Sequence, residues 1–278
     1  MRTLCDVDGL GSRMEPCPTP ANGTMARCGT DNACTFDCAA GFADCDSAAA
    51  NGCEVGLGTT AHCGRCGAAC AVGQSCVMGE CRAPPMRYAV TALPATEPYI
   101  DACALPGATR VLAGSDDAQS RVPLGFAFRY WSTDLRAGQL LNWTSNGYLA
   151  LYDGQTRDSR GRIPDPSIPN SVVAIYWGDL INLREQCVAV TGAAPSRLQV
   201  FEWADSYHCC TTGVLPRFSN EIVLHEGSGV IDFLYRSREG MRAFIVGLEN
   251  ETGTAAVSPC ATGSVCIPAS NYRFTLSP

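Results

Sequence analysis

From Met86 onward, apolar and polar residues alternate in short runs separated by Gly, Pro, Asn and Ser. A period of two bounded by turn residues reads as strand, because successive side chains of a strand point to opposite faces. The pattern predicts strands near 122–130, 139–144, 147–152, 172–176, 186–190, 197–204, 218–226, 229–236, 243–249 and 271–276, with no long helical periodicity. Asn220 to Glu226 and Val230 to Tyr235 flank Gly227-Ser228-Gly229, which has the composition of a hairpin turn. On the second of these strands Ile231, Phe233 and Tyr235 share one face, and Val230, Asp232 and Leu234 share the other. Many short strands with turn signals between them predict an all-β fold, an antiparallel β-sandwich of jelly-roll-like type.

The first 81 residues lack that pattern. They hold Cys5, Cys17, Cys28, Cys34, Cys38, Cys45, Cys53, Cys63, Cys66, Cys70, Cys76 and Cys81, but only two phenylalanines, Phe36 and Phe42. A segment so short of large apolar side chains folds by cross-linking, each bridge contributing about 2–4 kcal/mol. The other six cysteines, Cys103, Cys187, Cys209, Cys210, Cys260 and Cys266, are spread along the remainder, so both groups are even. The division is therefore a disulfide-rich module over 1–81, a stiff linker Arg82-Ala83-Pro84-Pro85, and a β-sandwich over 86–278 with its core in 120–276. Pairing among the twelve is not deducible. Cys260 and Cys266 are close enough to bridge locally. Cys209 and Cys210 are adjacent, and neighbouring cysteines seldom bridge each other, so each is expected to pair elsewhere, with Cys187 and Cys103 as partners. A vicinal redox pair is the alternative.

Composition narrows the class. A hydrophobic fraction of 46% excludes wholesale disorder, and a net charge of −7 with a pI near 5.0 gives no footprint for nucleic acid. All 20 basic residues are arginine, read as a codon effect of a GC-rich genome. No apolar run has the length of a transmembrane segment. The cysteine usage implies an oxidising compartment, and Met1-Arg2-Thr3-Leu4-Cys5 enters the cysteine region directly, so a removed signal peptide is expected. The Cys63-Gly64-Arg65-Cys66 pair stands alone without a second CxxC, which favours disulfides over zinc. No cofactor motif is present. Asp44 and Asp46, with Asn51-Gly52 nearby, offer hard oxygen ligands that suit calcium, although a solvated acidic turn is the plainer reading. Three Asn-x-Thr sequons, at Asn22, Asn142 and Asn250, are read as incidental.

Two resemblances follow from longer motifs. The run from His62 through Cys63, Cys66, Cys70 and Cys76 to Cys81, with Asp44-Cys45-Asp46 and Asn51-Gly52-Cys53-Glu54 upstream, resembles the stigma-specific-protein-type cysteine-rich modules of secreted myxobacterial proteins. That resemblance implies an extracellular disulfide module without catalytic residues. Val122 to Phe128, Thr144 to Leu149, Ile168 to Leu180, Phe201-Glu202-Trp203, Glu221 to Gly227 and Val246 to Asn250 are similar, in that order, to nidogen-like and bacterial surface-protein β-modules. This implies an extracellular, non-catalytic sandwich. Gly178 departs from it, standing where an acidic residue is usual before Asp179, and so does the segment Tyr207 to Thr212.

The residues with chemistry to offer are Asp179 and Glu202, each close to a tryptophan, Trp177 and Trp203, and His225 on a strand face with Glu221 and Val223. Paired carboxylates beside indole rings could be a glycosidase acid and base with sugar platforms, but are more often fold determinants. No G-x-S-x-G elbow and no HExxH occur. The expected protein is a secreted or cell-surface binding protein recognising an extracellular protein or a glycan. A self-assembling structural subunit of an extracellular filament or matrix is second, and a glycoside hydrolase third.

Overall fold

A computed structural model describes residues 4–6, 14–30, 33–48, 51–94, 96–152, 161–210 and 216–278. The chain forms two compact units, residues 1–84 and 85–278.

The first unit is built from four small hairpins: β1 (Leu4–Asp6) with β2 (Met14–Pro16), β3 (Gly23–Cys28) with β4 (Cys34–Cys38), β5 (Phe42–Ala43) with β6 (Val55–Gly56), and β7 (Ser75–Val77) with β8 (Glu80–Arg82). Its bridges are Cys5–Cys28, Cys17–Cys34, Cys38–Cys53, Cys45–Cys66, Cys63–Cys76 and Cys70–Cys81. The buried side chains are sulfur: Cys5 and Cys53 are fully enclosed, whereas Phe42 is 38% exposed. The two cysteines of the CxxC go to different partners, so they form no zinc knuckle.

The second unit contains β9 (Arg87–Leu93), β10 (Thr109–Val111), β11 (Gln119–Pro123), β12 (Phe128–Tyr130), β13 (Thr133–Leu135), β14 (Leu140–Thr144), β15 (Tyr148–Ala150), β16 (Val172–Trp177), β17 (Leu180–Asn182), β18 (Gln186–Thr191), β19 (Leu198–His208), β20 (Phe218–His225), β21 (Ile231–Tyr235), β22 (Phe244–Glu249), β23 (Ala256–Val257), β24 (Val265–Cys266) and β25 (Asn271–Ser277). One sheet runs β10-β18-β19-β20-β21-β25-β9, with β17 also on β19; the other runs β11-β14-β15-β16-β22-β23, with β24 on β22. The register is antiparallel throughout, and the two sheets make the expected β-sandwich. Among the described residues the only helical element is a 3-10 turn, Ala102–Ala104.

Alternation explains the core. Phe201 and Trp203 of β19, Ile222 and Leu224 of β20, and Ile231, Phe233 and Tyr235 of β21 all enter the main apolar cluster with Trp143 and Phe274. The opposite faces are not left to water. Val200, Val223 and Leu234 are covered by a strap that carries Tyr99, Ile100, Ala102 and Leu105, pinned by Cys103–Cys187. On the other sheet, Tyr148, Val172 and Trp177 pack under Ile163.

Three sequence-based expectations need correction. The predicted strand 122–130 is two strands: Leu124 still bonds to Gln139, the rung after Pro123 and Leu140, but Gly125 turns its amide to the side-chain Oε1 of Gln199, and the ladder ends there. No strand was expected before residue 122, yet β9 pairs along its full length with β25. Cys209 and Cys210 bridge each other, while Cys103 and Cys187 pair together. The reason is local: Cys187 lies on β18 directly below the strap that brings Cys103 to a Cα distance of 5.1 Å, so neither is left for the adjacent pair. Cys260–Cys266 closes locally, as expected.

Gly178 has a packing cause. A Cβ there would stand 1.9 Å from the Phe244 ring, so any side chain must displace it. Gly178→Asp is expected to destabilise the second unit by about 2–3 kcal/mol, the usual cost of overpacking, read as a lower chemical-denaturation midpoint. Graded reduction should unfold residues 1–84 first. All four tryptophans lie in the second unit at 7% exposure or less, so tryptophan emission should hold steady while the cystines of the first unit are reduced.

Candidate functional site

The structure separates the five residues singled out from the sequence. Trp203 is wholly buried, edge-on to Trp143 at 5.4 Å, and donates its indole N–H to Thr144 O at 2.8 Å. Trp177 is equally enclosed, its ring 4.2 Å from that of Tyr148. Neither ring faces solvent, so both pack the fold and neither is an open stacking platform. Asp179 lies between β16 and β17, where its carbonyl accepts Cys209 N–H at 3.0 Å and its carboxylate stands beside the Cys209–Cys210 sulfurs. Neighbouring Leu180 pairs with His208, six residues along β19 from Glu202. At the rise of a strand that separates Asp179 from Glu202 by roughly 20 Å. A glycosidase pair spans about 5–10 Å, so these carboxylates cannot act on one bond.

His225 belongs to a cross-strand network on the outer face of the larger sheet. Its Nε2 is 2.7 Å from Asp232 Oδ2, and Arg273 donates to both Asp232 oxygens at 2.7 Å. Burial pushes the Asp232 carboxyl up, but the hydrogen bonds from Arg273 and His225 outweigh it and hold the group below its ordinary range. In the first unit Asp44 and Asp46 do converge, together with Glu54. Asp46 accepts Ala48 N–H and the Asn51 amide, and Glu54 accepts Cys45 N–H, so the carboxylates also brace the turn.

Two places escaped sequence reasoning. The first is a groove of about 420 Å³ lined by Met86, Arg87, Tyr88, Trp131, Glu251 and Val257 among others. It lies between β9 and β23, the end strands of the two sheets. Tyr88 and Trp131 meet at 5.5 Å and form an aromatic wall, with Arg87 and Glu251 as the charged groups. Its residues come from three distant segments, 85–88, 131–132 and 250–257, so no local motif announces it.

The second is a buried carboxylate pair beneath the strap. Glu202 and Glu221 face each other across β19 and β20, at 2% and 0% exposure. Tyr99 OH donates to Glu202 Oε1 at 3.1 Å, Cys103 N–H to Glu202 Oε2 at 3.2 Å, and Ile100 N–H to Glu221 Oε1 at 2.7 Å. Glu221 Oε2 has no hydrogen-bond partner. Burial pushes the Glu221 carboxyl up to about 9, the amide of Ile100 pulling against it and nearby Glu202 and Asp101 adding to it. Burial also raises Glu202, against the pull of the Cys103 and Tyr99 hydrogen bonds. An outward-facing glutamate on a strand ordinarily reads as solvated, which is why the pair was not foreseen.

A family model described as NIDO related matches residues 88–274. No curated protein and no solved structure matches the chain.

Because Glu221 holds its proton more tightly folded than unfolded, it favours the folded state most below pH 4.5. That contribution declines as pH rises and is gone above about 9. In chelator-treated buffer, Glu221→Gln should gain on the native chain by roughly 3 kcal/mol between pH 4.5 and 7. Denaturation midpoints across that range read the difference.

Proposed function

The chain belongs to the NIDO-related family, and on that premise we propose that it is a non-catalytic binding module working outside the cytoplasm, with the groove between β9 and β23 as its contact surface for an extracellular protein or a glycan. The compartment is supported by cysteine chemistry: all 18 cysteines are engaged in nine bridges, a state that oxidising surroundings sustain. No helix among the described residues is long and apolar enough to cross a membrane. The cysteine-rich first unit is an extracellular companion module of the stigma-specific-protein type in this reading. One observation carries the binding proposal: an open groove with a buried aromatic wall and a few charged groups, held by strand ends of a cross-linked sandwich. Concave, largely apolar sites with sparse polar groups are the usual form of a recognition site.

A second reading, self-assembly, is favoured by β9 itself. This seven-residue end strand has one charged residue, Arg87, and mostly exposed side chains, so its free edge can pair with another strand.

The groove reading predicts that the protein runs as a monomer on sizing columns and binds members of a glycan array or an extended-peptide library. Ser132→Trp, which fills the groove, should weaken that binding at least tenfold with an unchanged denaturation midpoint. Binding untouched by Ser132→Trp sinks the groove. Filaments that grow with concentration support the assembly reading. Turnover of a generic glycoside, lost in Asp179→Ala or Glu202→Ala, would make the protein a hydrolase and overturn both.

A further inference from the structure

The groups beneath the strap form a donor set without a matching acceptor. One carboxylate oxygen each from Asp101 and Glu202 lies within 4.8 Å of the other. Glu221, fully enclosed, is the register partner of Glu202 and keeps Oε2 without a hydrogen bond. Beside them is a cavity of about 50 Å³ lined by Asp101, Glu202, Asp205, Arg184 and Arg236, larger than the ~10–15 Å³ that one water needs. Arg236 stacks over the Tyr99 ring at 5.6 Å and Arg184 reaches Asp205 only at 3.9 Å. Glu202 and Glu221 are enclosed, while Asp101, Asp205, Arg184 and Arg236 stand at the rim, so four carboxylates face two guanidinium groups with the two buried ones held away from water. Burying ionised groups unpaired is expensive, so such a set takes up protons or a cation.

We propose that the strap closes a divalent-cation site of the calcium type, with Asp101, Glu202 and Glu221 as carboxylate ligands and the Tyr99 hydroxyl at its edge. The chemistry of the donors selects the ion. Cys103 is committed to its bridge with Cys187, so no thiolate is available and the ligands are hard oxygens. Glu202 spends one lone pair of each oxygen on Tyr99 and Cys103, which leaves the others free to coordinate. Calcium tolerates the irregular arrangement that a loop laid over a sheet provides, whereas magnesium demands a near-octahedral one. The ion would tie residues 99–103 to β19 and β20. Affinity in the range of extracellular calcium modules, about 10⁻⁴–10⁻³ M, is the expectation. This site does not depend on the groove reading and stands or falls separately from it.

The test uses the full chain stripped with chelator and titrated with calcium, with tryptophan emission following thermal unfolding of the second unit and equilibrium dialysis counting ions. Calcium at ten times its dissociation constant should raise the Tm by about 3–6 °C. Glu221→Gln preserves the Ile100 hydrogen bond and should fold, but should bind calcium at least tenfold more weakly at this site and lose the Tm increment. Asp101→Asn, a change at an exposed carboxylate, should do the same. Asp46→Asn, in the acidic turn of the first unit, should leave the increment intact. A stripped protein whose tryptophan-reported transition ignores calcium overturns the proposal, as does a Glu221→Gln variant with the full native increment.

Discussion

The bridge between Cys103 and Cys187 is the constraint on which the second unit turns. It joins residues 84 positions apart, and a closure of that length is worth about 4–5 kcal/mol in a chain-entropy account. More important than its magnitude is its place. It presses the segment around Tyr99 and Ile100 onto the outer face of β18, β19 and β20, so this part of the sheet is dry on both faces. The consequences follow in order: Val200, Val223 and Leu234 become core, and Glu202 and Glu221 are shut in with them.

Sulfur has a different task in the first unit. Its six bridges span separations of only 11 to 23 residues, each closing a small loop. Cystine occupies the place that aliphatic side chains fill elsewhere, which suits a segment with two phenylalanines, one of them 38% exposed. Stability there is local and covalent. In the second unit it comes from apolar area between two sheets, with Trp143, Trp203, Phe201 and Phe233 among the largest enclosed side chains.

That contrast bears on function. The aromatic rings and carboxylates that stand out in the sequence, Trp177, Trp203 and Glu202, are consumed by packing and by anchoring the strap. The open groove lies instead where the sheets end, at β9 and β23, with Tyr88 and Trp131 in its wall. Rigid strands carrying loops are suited to presenting a contact surface, and nothing in the geometry brings Asp179 to Glu202.

How much was legible in advance can be told residue by residue. The period of two in Ile231, Phe233 and Tyr235 reached the core side of β21 correctly, because side-chain alternation is a property of the strand itself. The hairpin at Gly227-Ser228-Gly229 and the Cys260–Cys266 bridge were readable for the same reason, their partners being near in the chain. β9 was missed since its run Arg87–Leu93 has no strict alternation and gains its structure from β25, at the far end of the unit. The strap over Glu202 and Glu221, the groove beside Trp131 and the partner of Cys103 were decided by tertiary structure alone. Each depends on segments brought together from tens to more than a hundred positions apart, and a pattern along the chain carries information about which face a side chain takes but none about what will come to cover it.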